Sequence, residues 1–167
     1  MSHQSVRFLL RDVSDSLADN IEFKGGRETE FNNLIANKAN KTQYRWLLPM
    51  TGTISFANQT RTTTWAIAIL FMQQDKFDSN AEETNKIHDV TDLAVGRFLQ
   101  RLDDWSMVQY DPVGDITLSN ITKTPFYKDQ AGVYSGWLVR FNLTTPDDFV
   151  WCTPDNIAIY DGTYRNS

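Results

Sequence analysis

The chain predicts an α+β fold: a mostly antiparallel β-sheet of two hairpins, flanked by an N-terminal helix and a long central helix. Three observations carry this. Residues 62–73, TTTWAIAILFMQ, place Trp65, Ile67, Ile69 and Phe71 on one parity and Ala66, Ala68, Leu70 and Met72 on the other. Side chains alternate across a strand, so this stretch has no face to show to water and predicts a central strand covered on both sides. Residues 81–107 set Ile87, Val90, Ala94, Phe98, Leu102 and Trp105 on one helical stripe, widened by Leu93 and Leu99. Alternating segments around residues 44–56 and 133–143 supply partner strands.

Taken in order, residues 5–18 repeat Val6, Leu9, Leu10, Val13 and Leu17 at helical spacing, with Arg7, Arg11, Asp12 and Asp15 left for solvent. This predicts a lid on one sheet face. Residues 20–26 read as a short extended piece closed by Gly25-Gly26, a pair that permits a sharp change of direction. Residues 27–41 carry Phe31, Leu34 and Ile35, but four asparagines, Asn32, Asn33, Asn37 and Asn40, weaken any helix. The segment reads as a loop of helical character and a contact surface.

Tyr44, Trp46, Leu48 and Met50 share a parity that resumes at Ile54 and Phe56. Pro49 cannot donate to a ladder and Gly52 invites a bend, so the first half predicts an edge or a bulge. The polar link 57–61 closes a hairpin over 43–73. Ser79-Asn80-Ala81-Glu82 fits a capping box for the helix over 81–107, which serves as the second cover for the sheet and ends near Met107. In 115–145, Ile116 and Leu118 oppose Ile121 in parity, which predicts a bulge near Ser119-Asn120. A loop over 125–132 then leads to a strand bearing Val133, Trp137, Val139, Phe141 and Leu143. Residues 146–167, with Trp151, Ile157, Ile159 and Tyr160, read as a docking tail.

The 167 residues suffice for a single domain with a substantial core, and 41% hydrophobic content supports a folded chain. A net charge of −5 disfavours gripping nucleic acid or an anionic membrane, since both reward clustered Lys and Arg. The single cysteine, Cys152, allows no intrachain disulfide. Residues 1–17 lack the apolar core of a signal peptide, and no apolar run is long enough to cross a bilayer.

No constellation of catalytic or metal-binding type is legible. His3 and His88 sit at no ligand or triad spacing and read as solvated or packed histidines. The acidic pairs Glu82-Glu83, Asp103-Asp104 and Asp147-Asp148 read as a helix start, a polar helix face and a turn. Gly25-Gly26-Arg27 lacks a phosphate-cradling pattern, and Ser135-Gly136 lies inside a strand, without a nucleophile elbow. Composition and spacing alone yield a compact domain, with no cofactor or metal expected.

Three passages carry a family likeness: YRWLLPMTG leading through TTTWAIAILFMQQDKFDSN into a helix, DLAVGRFLQRL on that helix, and ITKTPFYKDQAGVYSGWLVRFNLTTPDDFVWC. Over residues 44–152 the chain resembles the small neck and tail-completion proteins of tailed bacteriophages, the head-tail connector, ring or tail-terminator type, including those of crAss-like gut phages. The resemblance implies a non-enzymatic virion protein that assembles with copies of itself into a ring. Such a ring meets other neck, portal or tail proteins and passes double-stranded DNA without sequence-specific binding or any membrane contact. It also implies manufacture in the host cytoplasm and residence in the neck or tail of the particle. Expected subunit contacts are Asn32, Asn33, Lys38, Lys41, Phe126, Tyr127, Lys128, Asp129, Gln130, Phe149 and Trp151. Two other readings compete. A small-ligand or peptide-binding module requires a cavity between the 81–107 helix and the sheet. A hydrolase requires its carboxylates among Asp103, Asp104, Asp147 and Asp148.

Overall fold

A computed structural model describes residues 3–27, 29–30, 33, 43–57, 60–76, 78–109, 116–129 and 134–146. Among them are two helices, α1 (His3–Ser16) and α2 (Ala81–Gln109). The strands are β1 (Glu22–Gly25), β2 (Gln43–Leu47), β3 (Thr51–Ala57), β4 (Thr60–Gln74), β5 (Thr117–Asp129) and β6 (Tyr134–Pro146). They form a 6-stranded sheet in the order β1-β2-β4-β6-β5, with β3 also paired to β4. All pairings are antiparallel except β1 with β2. The fold is therefore α+β, with the two-faced segment as its central strand.

β2 and β3 lie end to end along one edge of β4. Leu47 pairs with Ile69 and Thr51 with Ala66, so three residues of one strand, 48–50, face two of β4, and the chain bulges at Pro49. The expected bulge is there, but β2 is not an edge, because β1 covers its other side. In β5 the register shifts between Ser119 and Thr122, with Asn120 at φ 53°, where the parity change places it. A second shift falls between Phe126 and Asp129, with Lys128 at φ 46°. Residues 125–129, expected in a loop, continue the strand instead. Pro125 is tolerated because β5 is the last strand of the sheet, where a missing N–H breaks no outer ladder.

Both helices cover the same sheet face. Val6, Leu9, Leu10 and Val13 of α1 and Ala94, Val95, Phe98 and Leu102 of α2 join Trp65, Ile67, Ile69, Phe71, Val139, Phe141 and Leu143 in one core. The central helix is thus not a second cover on the opposite side. There, Tyr44, Trp46, Leu70, Met72 and Tyr134 make a smaller cluster with Leu48, Phe126 and Leu138, while Ala66 is left exposed. The capping box is displaced by one residue. Asn80 Oδ1 accepts from the Glu83 amide at 2.9 Å, and Glu83 Oε2 accepts from the Asn80 amide at 3.0 Å. Ser79, expected as the cap, is engaged elsewhere.

Candidate subunit interface

The end of β4 is fastened to α2 by a buried polar knot. Asp75 accepts hydrogen bonds from Ser79 Oγ, from Thr84 Oγ1 at 3.0 Å and from Ser135 Oγ at 2.8 Å. Ser135 Oγ also accepts from the Lys128 amide at 2.8 Å, and Lys128 Nζ donates to the Ser79 carbonyl at 3.0 Å. Burial acts to raise the Asp75 pKa. The hydroxyls of Ser79, Ser135 and Thr84, with the charge of Lys128, outweigh it and hold the carboxyl below its ordinary value. Ser135 is fully buried within this knot.

A second knot fixes α1 to β2. Arg45 lies wholly inside the molecule, donating to Ser14 Oγ at 2.9 Å and to Asp19 through both terminal nitrogens. Its guanidinium lies 6.0 Å from the Phe71 ring centroid and 5.9 Å from that of Phe98. Burial pushes the Asp19 pKa up, but hydrogen bonding and attraction from Arg45 bring it below normal. Arg45 belongs to no motif in the sequence. The available signal was parity, since Arg45 shares a face with Leu47, opposite Tyr44 and Trp46.

The β5–β6 hairpin holds most of the expected contact residues that the structure describes. Phe126 is half-buried against the second cluster, and its carbonyl oxygen lies 3.0 Å from His88 Nε2. His88 is buried, with Nδ1 2.9 Å from the Thr84 carbonyl oxygen and its ring against Tyr127 and Trp137. Tyr127 itself is 61% exposed. Lys128 is tied into the Asp75 knot, and Asp129 pairs with Tyr134 at the end of the strand. Asn33 is exposed. Asn32, Lys38, Lys41, Gln130, Phe149 and Trp151 lie outside the described residues.

Exposed apolar surface also occurs on β3 and on the α2 stripe that helical spacing turned toward the sheet. β3 is exposed along all 7 residues, with Ile54 50% and Phe56 77% exposed. Among the described residues, no strand pairs with its outer edge. Ile54 and Phe56 face the helix side of the sheet, opposite Thr63 and Arg61 of β4, yet neither joins the core. The hairpin is an arm, and Arg61 lies 5.8 Å from the Phe56 ring centroid. On α2, Val90 and Leu93 are 48% and 58% exposed.

Asp103 and Asp104 are exposed on α2, and Asp147 and Asp148 lie outside the described residues. Among the described residues no group of three or more His, Cys, Asp or Glu could hold a metal ion. No described helix is long and apolar enough to cross a membrane. Between α2 and the sheet, the gap lined by Tyr44, Phe71, Met72, Val90, Thr91 and Ala94 measures ≈ 10 Å³. That is about the room of one water, far below the several hundred Å³ a ligand needs. Larger clefts of ≈ 380 Å³ run instead along α1, beside Arg7 and Gly25 or beside Arg11 and Phe23. No family model matches the chain, and no curated protein matches it.

Proposed function

We propose that this chain is a non-enzymatic structural subunit of a tailed-phage virion, forming a homo-oligomeric ring in the head-tail neck in a connector, tail-terminator or tail-completion role. The ring lines or seals the DNA passage and docks adjacent neck, portal or tail rings. The observation that carries the reading is the β3 arm. Its outer edge takes no partner strand among the described residues, and its large apolar side chains Ile54 and Phe56 face solvent. An edge strand of this kind recruits another chain unless something blunts it. Residues 51–57 contain no charge and no proline to do so. The likeness of residues 44–152 to neck and tail-completion proteins supplies the setting, and the net charge of −5 suits a passage that does not hold phosphates.

Size-exclusion chromatography with light scattering, followed by electron microscopy of the peak and of intact particles, tests the reading. The expected result is a closed ring located at the neck. A clean monomer at high concentration, with no assembly on added neck partners, overturns it.

A further inference from the structure

We infer that the ring is closed by a head-to-tail contact in which the β3 arm of one copy seats on the outer face of α2 of the next. The inference rests on the ring reading above and names the two surfaces that make it. Ile54 and Phe56 share a parity on β3 and so project from one side of the arm, with Arg61 beside the Phe56 ring. Val90, Leu93 and Gly96 follow at three-residue intervals on the solvent side of α2, and helical neighbours so spaced form one strip.

Gly96 sharpens the match. A Cβ built there meets nothing within 4 Å, so no packing inside the subunit calls for glycine in the middle of a helix. Glycine there costs helix stability relative to alanine and leaves a notch where another backbone or ring can come close. The arm offers a protruding aromatic and α2 a shallow apolar strip with a gap, two surfaces of different shape.

Charge and symmetry together select the pairing between them. Asp89 is exposed beside Val90 and makes no ion pair among the described residues, whereas the arm carries Arg61. An arm against an arm sets Arg61 near Arg61, while a two-fold contact of α2 with α2 about Leu93 runs antiparallel, sets Asp89 opposite Arg97 and closes at two copies, a dimer and not a ring. Arm on α2 brings opposite charges together. Arg97, one residue past Gly96, gives the direction, with the arm's cation lying toward Asp89 and away from Arg97. A contact between two different surfaces of the same chain is heterologous, the class that propagates from copy to copy and closes into a ring.

Complementary variants decide the matter. Phe56→Asp spoils the arm and spares α2, while Leu93→Asp does the reverse. Each position is solvent-exposed, so circular dichroism and the dilute melting midpoint should match those of the wild type. Each variant alone is expected to weaken association by about 30-fold or more and to run as a monomer. Mixed in equal amounts, they should form a dimer and stop, since one intact arm and one intact α2 face remain between them. Arg61→Glu and Asp89→Arg should each weaken assembly, and the double variant should recover it.

If the wild type forms its ring and the variants do too, or if the mixture stays monomeric, the inferred contact is overturned and the ring reading stands. Should the arm variants keep the ring but lose capture of another neck component, the arm serves that component and not a second copy. A monomeric wild type removes the ring and the contact together.

Discussion

Gly136 lies on β6 opposite Met72 of β4. Its φ is +155°, and an added Cβ would sit 2.0 Å from the Phe71 carbonyl oxygen and 3.0 Å from Met72 Cα. Both obstacles are backbone of the central strand, so relief requires separating two strands paired over 13 residues. Gly136→Ala should therefore cost about 2–4 kcal/mol, read from the denaturant midpoint at unchanged slope. Asp75 makes a different prediction because its pKa is lower folded than unfolded. Its contribution is fully present above the ordinary value of 3.8 and is lost as pH falls through the lower folded value. Asp75→Asn keeps the shape and discards the charge that three hydroxyls solvate. It should cost about 1–3 kcal/mol at pH 7. On acidification from pH 5 to pH 3, the stability gap between variant and wild type should narrow. A gap that stays constant over that interval argues that the site holds the protonated carboxyl as well as the carboxylate, so that folding does not lower the Asp75 pKa.

At the scale of the element, α2 separates what intrinsic propensity controls from what packing controls. Gly96 has open space around it, so Gly96→Ala should stabilise the isolated subunit by about 0.5–1 kcal/mol, measured by thermal melting at low concentration. Alternation and helical spacing made the elements themselves legible. The double parity of residues 62–73 identified the central strand, and the clash of Ile116 and Leu118 with Ile121 located a bulge. Partners were less legible. The parallel pairing of β1 with β2 joins segments separated by residues 26–42, and nothing local in IEFK encodes it. The double parity of β4 did not say what covers each face. Leu70 and Met72 are buried by aromatics from other strands, and Ala66 and Ala68 are small enough to need no helix over them. Pro125 read as a loop because proline excludes a central strand, a rule that lapses on an edge. For the same reason the polar knots were invisible: Arg45 with Asp19, and Asp75 with Ser135, are distant in the chain and meet only once the sheet has formed. The exposed apolar side chains of β3 look the same in sequence whether they fill a core or await a neighbour.

For the whole molecule, one apolar core joins α1, α2 and five strands, β1, β2, β4, β5 and β6, through Phe23, Leu47, the β4 residues, Leu118, and Val139, Phe141 and Leu143 of β6. Subunit stability thus rests on that core, while Ile54, Phe56, Val90 and Leu93 contribute surface that only association can bury. The two reservoirs respond differently to dilution. Anything that binds the native state and not the unfolded one adds stability that grows with its concentration, and under the proposed ring the ligand is the chain itself. Each tenfold rise in total protein should add up to about 1.4 kcal/mol per subunit, which for a domain of this size raises the melting midpoint by up to about 3–6 °C. Replacing Ile54 and Phe56 together by Ser should abolish that dependence and leave the dilute midpoint within about 1 °C of the wild type, because neither side chain belongs to the core. A midpoint that falls sharply at every concentration would assign both residues to the subunit's own stability, and a wild-type midpoint independent of concentration would mean that the exposed arm is satisfied by water alone.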